Sequence, residues 1–254
     1  MATDKFGLGA PFLQRMYFRE PPRDRLDYPL NLPLVDGLDL TFSTPVTILV
    51  GENGSGKSTI LETIAHHCGF NVGGGSRDHN YNQTVDVEPL AKALTFSWRP
   101  KVTRGFFLRA ESFFNFVGYL DELSDEPGQA AKNSYSELSM NRQSHGEAFL
   151  SLFEDRFNGK GIYIMDEPEA ALSPHRQIQL LAILHALEES GEAQVIMATH
   201  SPILMAYPNA DLLYLEGDTI RNADYRETAH YRITRRFLEN PDAYLREIFD
   251  RFDP

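Results

Sequence analysis

Residues 51 to 59 read Gly51-Glu52-Asn53-Gly54-Ser55-Gly56-Lys57-Ser58-Thr59, a glycine-rich string that closes on a lysine and two hydroxyls. Gly51 and Gly56 let the backbone curl so that successive N–H groups point inward, a cradle suited to the β- and γ-phosphates of a nucleoside triphosphate. Lys57 adds a point charge to the same oxygens and Ser58 offers a hydroxyl to Mg²⁺. A helix starting near Lys57 sets the positive end of its dipole beneath them. About one chain in a hundred of this size carries such a string by chance, so its context decides. Here it follows the β-branched run Val46 to Val50 and precedes the helical pattern Ile60, Leu61, Ile64, with no Gly or Pro until Gly69. That is the strand–loop–helix setting the chemistry needs.

Two other places carry groups that such a loop would use. Asp166-Glu167-Pro168 follows the apolar run Gly161 to Met165, and His200-Ser201-Pro202 follows Gln194 to Thr199. Each run reads as a buried strand, and in an open α/β sheet ligands gather where parallel strands end. Asp166 is then placed for the Mg²⁺ shell, Glu167 for polarising a water for in-line attack on the γ-phosphorus, and His200 for the γ-phosphate or that water. A plain capping role for Asp166 and Glu167 is the weaker explanation, because Ser173-Pro174 supplies an N-cap and first-turn proline for the helix that follows. Gln143-Ser144-His145-Gly146-Glu147 has the form of a capping box, with Phe149, Leu150, Leu152, Phe153 and Phe157 as an apolar stripe behind it. An ordinary capped helix and an anion-binding helix N-terminus both fit that segment.

The elements that must hold these residues are a mainly parallel sheet flanked by helices, preceded by an N-terminal β region. Residues 1 to 44 read as short strands and turns broken by Pro21, Pro22, Pro29 and Pro33. Residues 71 to 88 read as a glycine- and asparagine-rich loop, residues 110 to 157 as a helical subdomain, and Ala229 to Phe252 as two helices split at Asn240-Pro241. One domain over 1–254 accommodates all of it.

Taken in order, these residues resemble the ABC-type ATPases among the P-loop NTPases, and the resemblance spans most of the chain. Residues 51 to 59 are similar to the family's Walker A loop, Tyr163 to Pro174 to its Walker B strand, catalytic glutamate and D-loop, and Ala198 to Pro202 to its switch histidine. Ser144, Gly146 and Glu147 resemble the signature motif, which in the family faces the γ-phosphate held by the other subunit. The resemblance therefore implies ATP hydrolysis with Mg²⁺ in a homodimer that sandwiches two nucleotides. Lys57, Glu167 and His200 would serve chemistry, Ser58 and Asp166 the metal, and residues 51 to 59 and 144 to 147 the nucleotide. Departures from the pattern are His145 in place of the signature's first glycine and Ser173 in place of the D-loop aspartate. No glutamine ends the strand Gly105 to Ser112, where Arg109 or Glu111 would stand in. Tyr17, Phe18 and Tyr28 are candidates for stacking on a base, although each also suits a core.

Composition narrows the branch. The interval from Lys57 to Asp166 is too short for the long coiled-coil hairpin of SMC-type heads, so a small stand-alone head resembling the RecF/SMC-like branch is expected. The longest apolar stretches fall far short of a membrane span, so no direct membrane insertion is expected. With a single cysteine, Cys68, and no apolar leader in the first residues, a cytoplasmic setting is expected. The chain has 254 residues, 42% of them hydrophobic, and its net charge of −12 from 36 acidic and 24 basic side chains disfavours nonspecific attraction to nucleic acid. Two basic groups, Arg99, Lys101, Arg104 and Arg109, and Arg232, Arg235 and Arg236, read as solvated faces before DNA contacts. Adjacent His66, His67 and Cys68 point in different directions from a helix and do not converge on a metal. DNA or another protein stays open as a partner. The alternatives to a switching ATPase in DNA repair or bacterial defence are the ATPase subunit of an ABC membrane transporter and a slow nucleotide-dependent binding module.

Overall fold

The computed structural model describes residues 9–22, 26–72, 87–109 and 159–252. In chain order its elements are β1 (Leu13–Tyr17), β2 (Asp39–Thr41), β3 (Val46–Gly51), α1 (Lys57–Cys68), α2 (Glu88–Ala93), β4 (Thr95–Trp98) and β5 (Gly105–Arg109). There follow β6 (Gly161–Asp166), α3 (Pro174–Ser190), β7 (Ala193–Ala198), α4 (Pro202–Met205), β8 (Asp211–Glu216), β9 (Thr219–Asn222), α5 (Ala229–Glu239) and α6 (Pro241–Phe252).

Strands β3, β6 and β7 are buried along their whole length, which is why they appear in the sequence as unbroken apolar runs and not as alternating patterns. They lie in a six-stranded sheet of order β5-β6-β7-β3-β8-β9. Every pair in it is parallel except the β8–β9 hairpin. Successive side chains go to opposite faces. On one face Val46, Ile48, Val50, Tyr163, Met165, Val195 and Met197 pack with Leu180, Leu184 and Leu187 of α3. On the other, Leu49, Ile162, Ile164, Ile196 and Ala198 pack with Ile60, Leu61 and Ile64 of α1. Beyond α1 sits the expected N-terminal β region, an antiparallel sheet of order β2-β1-β4. Its third strand comes from residues after α2, which no local pattern in the sequence announced.

Single polar side chains lock the layers together. The buried Gln194 of β7 accepts from the N–H groups of Phe12 and Leu13 at 2.8 Å each and donates to the Leu13 carbonyl at 2.9 Å, fastening β1 to the end of the parallel sheet. Asp211 accepts from Ser43 and Thr44 and fixes the approach to β3.

The expected break at Asn240-Pro241 falls between α5 and α6. The expected 71–88 loop is described only at its edges, and α2 begins within it at Glu88. The helical region of 110–157, with Ser144, His145, Gly146 and Glu147, lies outside the described residues.

Candidate functional site

Parallel register brings the chemistry to one edge. Arg109 is paired with Asp166, Asp166 with Ala198, and Ala198 with Leu49, so β5, β6, β7 and β3 end side by side. The Glu167 N–H donates to the Ala198 carbonyl at 3.0 Å and the Thr199 N–H to the Leu49 carbonyl at 3.2 Å, which carries the alignment one residue past each strand.

The loop from β3 into α1 departs in one respect from its expected geometry. Gly54 and Gly56 take the left-handed backbone, with φ of +79° and +92°, whereas Gly51 does not. Gly51 is required for closeness: a Cβ there would lie 2.6 Å from the Leu215 carbonyl oxygen and 2.7 Å from Ser55 Oγ. Lys57, which opens α1, is buried, and its Nζ donates to the carbonyls of Gly51 at 2.8 Å and Glu52 at 3.0 Å. Burial lowers its pKa, against the raising effect of Glu167, Asp166, Glu52 and Glu169. The ammonium rests on neutral carbonyls, which an anion can displace.

Ser58 Oγ donates to Asp166 Oδ1 at 3.2 Å, joining the first turn of α1 to the end of β6. Burial pushes the Asp166 carboxyl up to about 6, although Arg109 and the Ser58 hydroxyl favour its charged form. Arg109 Nε lies 3.7 Å from Asp166 Oδ2, and its Nη1 donates to the buried Glu62 at 2.5 Å. Arg109 thus leaves the expected solvated face and stands at the end of β5, where the resemblance left a choice between it and Glu111. Glu111 lies outside the described residues. A serine hydroxyl against a buried carboxylate fits Mg²⁺, which takes hard oxygen ligands and is held by one or two protein groups plus phosphates. Among the described residues no group of three or more His, Cys, Asp and Glu converges as a protein-only metal cage.

Glu167 is the only non-glycine residue with positive φ among the described residues, at φ 50° and ψ 53°. Its carboxylate is 42% exposed, and Oε1 stands 3.4 Å from Nε2 of His200. The sequence placed Glu167 and His200 at one sheet edge, and in the structure the two side chains face each other there. Three partners were not foreseen. Glu169 Oε1 accepts from the His200 backbone N–H at 2.5 Å, the His200 Nδ1 sits 2.8 Å from Nε2 of His230, and the buried Ser201 hydroxyl donates to Gln177 at 2.5 Å. Gln177 in turn donates to the Leu172 carbonyl, so the chain after β6 and the chain after β7 share one polar link. Burial raises the Glu169 pKa and lowers that of His200. The third acidic residue of Asp166-Glu-Pro-Glu169 is a visible signal in the sequence; a histidine near the start of a charged helix is not.

Ser173 caps α3 by accepting from the Arg176 N–H, as expected for the N-cap that spares Asp166 and Glu167. Of the stacking candidates, Phe18 packs against the core and Tyr17 lies beneath the Arg15 guanidinium. Tyr28 is 46% exposed and shares a 3.1 Å hydrogen bond with Thr59 Oγ1 at the start of α1. His67 is stacked on Phe96 and accepts from Trp98 Nε1.

Family comparison gives two matches that divide the site between them. An AAA domain matches residues 32–106, which hold the phosphate loop, and an AAA domain described as a putative AbiEii toxin of a type IV toxin–antitoxin system matches residues 135–206, which hold Asp166, Glu167 and His200. Similar curated proteins include the macrolide export ATP-binding/permease protein MacB of Neisseria meningitidis, 28% identical over 193 residues, covering 68% of this chain and 29% of that protein. The MacB of Escherichia coli K12 is 25% identical over 232 residues, covering 78% and 33%. Together these matches support an ABC-type P-loop ATPase.

This ATPase spans about a third of the length of the curated relatives it matches. Solved structures similar to it include an inward-facing putative metal-chelate type ABC transporter, at 20% identity and TM-score 0.44, covering 76% of this chain and 78% of that one. The SMC head domain of Thermotoga maritima, at 15% identity and TM-score 0.44, covers 84% and 99%. Among the described residues of the ATPase no helix is long and apolar enough to cross a membrane.

Proposed function

We propose that this ATPase hydrolyses Mg-ATP at the common edge of β3, β6 and β7 and uses the nucleotide to switch between separate and paired heads. Lys57 and the amides of residues 51 to 59 hold the phosphates, turning the ammonium from loop carbonyls to phosphate oxygens. Ser58 and Asp166 hold Mg²⁺, which when bound neutralises charge on the β- and γ-phosphates. Glu167 orients and deprotonates the attacking water, and His200 donates to the γ-phosphate from Nε2. One observation carries this assignment: Asp166 beside Ser58 and Glu167 beside His200 stand at adjacent strand ends, 3.2 Å and 3.4 Å apart respectively. Ser144 to Glu147, outside the described residues, act across the dimer. The output is engagement with ATP and release after hydrolysis, in a cytoplasmic DNA-repair or defence setting.

The first test is light scattering of Glu167→Gln with and without Mg-ATP. Trapping the ATP state shifts the mass from monomer to dimer, and Lys57→Ala abolishes the shift. An unchanged mass with ATP demonstrably bound overturns the switch. A second function is favoured by the names of the relatives, which are export ATP-binding/permease proteins: driving a separate permease, which copurification with an integral membrane protein would establish.

A further inference from the structure

Most of α5 touches the rest of the ATPase lightly, yet its first turn is fastened. Thr228, its N-cap, is buried; its hydroxyl donates to the Tyr225 carbonyl at 2.6 Å, accepts from the Tyr231 N–H at 3.2 Å and lies 3.8 Å from Met205 Sδ of α4. This capped turn presents His230 to His200, ring centroids 4.9 Å apart and planes tilted by 49°. The His200 Nδ1 and His230 Nε2 separation of 2.8 Å is a hydrogen bond with one proton between two nitrogens.

Which nitrogen donates is settled on the opposite side of the His200 ring. His200 Nε2 is buried, lacks a hydrogen-bond partner among the described residues, and has the Glu167 carboxylate oxygen 3.4 Å away. A proton on Nδ1 would leave a lone pair on Nε2 facing that carboxylate and the phosphate site, two electron-rich partners that repel it. A proton on Nε2 faces both favourably and requires Nδ1 to accept, so His230 Nε2–H is the donor. The groups around His200 are Glu167, Lys57, His230 and Glu52, with Glu169 on its backbone N–H. Burial lowers the pKa of both imidazoles, with Lys57 acting the same way and Glu52 acting against it, which favours a neutral pair sharing one proton, with the carboxylate beside His200 Nε2 favouring His230 as the donor.

We propose that His230 is a positioning residue for nucleotide hydrolysis: by donating to Nδ1 it holds His200 in the Nε2–H tautomer and aims that proton at the γ-phosphate. This rests on the assignment of His200 as a phosphate contact. It also makes the first turn of α5 part of the nucleotide site, since whatever displaces that turn removes the donor from Nδ1.

The test is a double-mutant cycle on ATP turnover with His200→Ala, His230→Ala and the pair, together with ¹⁵N imidazole shifts of His200. Loss of one neutral hydrogen bond lowers kcat by about three- to tenfold, with KM for ATP and Tm little changed. The double variant is no slower than His200→Ala alone, and His230→Gln, which keeps an N–H donor, recovers part of the rate. The ¹⁵N shifts report Nε2–H for His200 in the native chain and a move toward Nδ1–H in His230→Ala. Additive effects, or a His200 tautomer indifferent to residue 230, overturn the proposal while leaving the hydrolytic site intact. Turnover that His200→Ala leaves unchanged overturns the assignment of His200 itself. Should His230→Ala lose its fold, His230→Gln decides through the tautomer and the cycle.

Discussion

Helices α1 and α5 are close in length, 12 and 11 residues, but nine residues of α1 are buried and none of α5 is. Helix α1 lies between two sheets and its apolar side chains belong to the core. Helix α5 leaves Ile233 at 55% and Leu238 at 72% exposure, and a groove of about 500 Å³ lined by Ile203, Tyr225, Tyr231 and Leu238 separates it from α4. Both helices nonetheless deliver a side chain to the same site through their first turn, Lys57 and Ser58 from one and His230 from the other. On the proposed function, a change in α1 is felt as unfolding or lost binding, whereas one in α5 reaches chemistry through a single hydrogen bond.

That contrast is open to attack at several strengths. Lys57→Ala should lower ATP turnover by about 10²–10³-fold, the range for deleting one preorganised charge stabiliser; steady-state kinetics with a near-native rate would remove α1 from the phosphate site. Ile64→Ala, at a position with no exposure, should cost about 2–5 kcal/mol of stability by urea unfolding. A loss below that range would mean the α1 core relaxes freely.

The last turn of α1 supplies a pH-dependent case. Burial, then the charges of Lys101 and His66, push the His67 imidazole down from 6.5 to about 4. With the folded value below the unfolded one, the unfolded chain takes up the proton first as pH falls. The stability from neutral His67 is therefore full above pH 6.5 and is lost as pH falls toward 4. Melting temperatures measured between those limits should fall more steeply for the native chain than for His67→Gln, and parallel curves would refute the effect. The smallest change is expected from Leu238→Ala on α5, within about 0.5 kcal/mol of the native stability. A larger loss would show α5 to be a packed element after all.

Local patterns made much of this molecule legible. Glycine spacing, a β-branched strand and a helical period sit within some two dozen residues around Lys57, and the strands before Asp166 and His200 end in the residues that matter. What escaped was whatever depends on partners distant in sequence. Gln194 looks like any strand residue until β1 is laid across it, and Arg109 looks like surface charge until the register sets it against Asp166. His230 sits among Arg232, Arg235 and Arg236, whose charge reads as a solvated face, and only the hairpin β8–β9 returning the chain brings it to His200. Glycine spacing alone does not distinguish Gly56, which bends the loop, from Gly51, which makes room.

The place of β3 has a consequence for the chain as it is synthesised. Its neighbours in the sheet are β7 and β8, which follow it by well over a hundred residues. During synthesis the apolar strand carrying the phosphate loop emerges before either neighbour and lacks both native partners until residues 193 to 216 are out. A nascent chain halted before that point has the loop's sequence but no nucleotide site. It shows any chaperone or aggregating neighbour a bare strand, so ATP first helps this chain only once its sheet has closed.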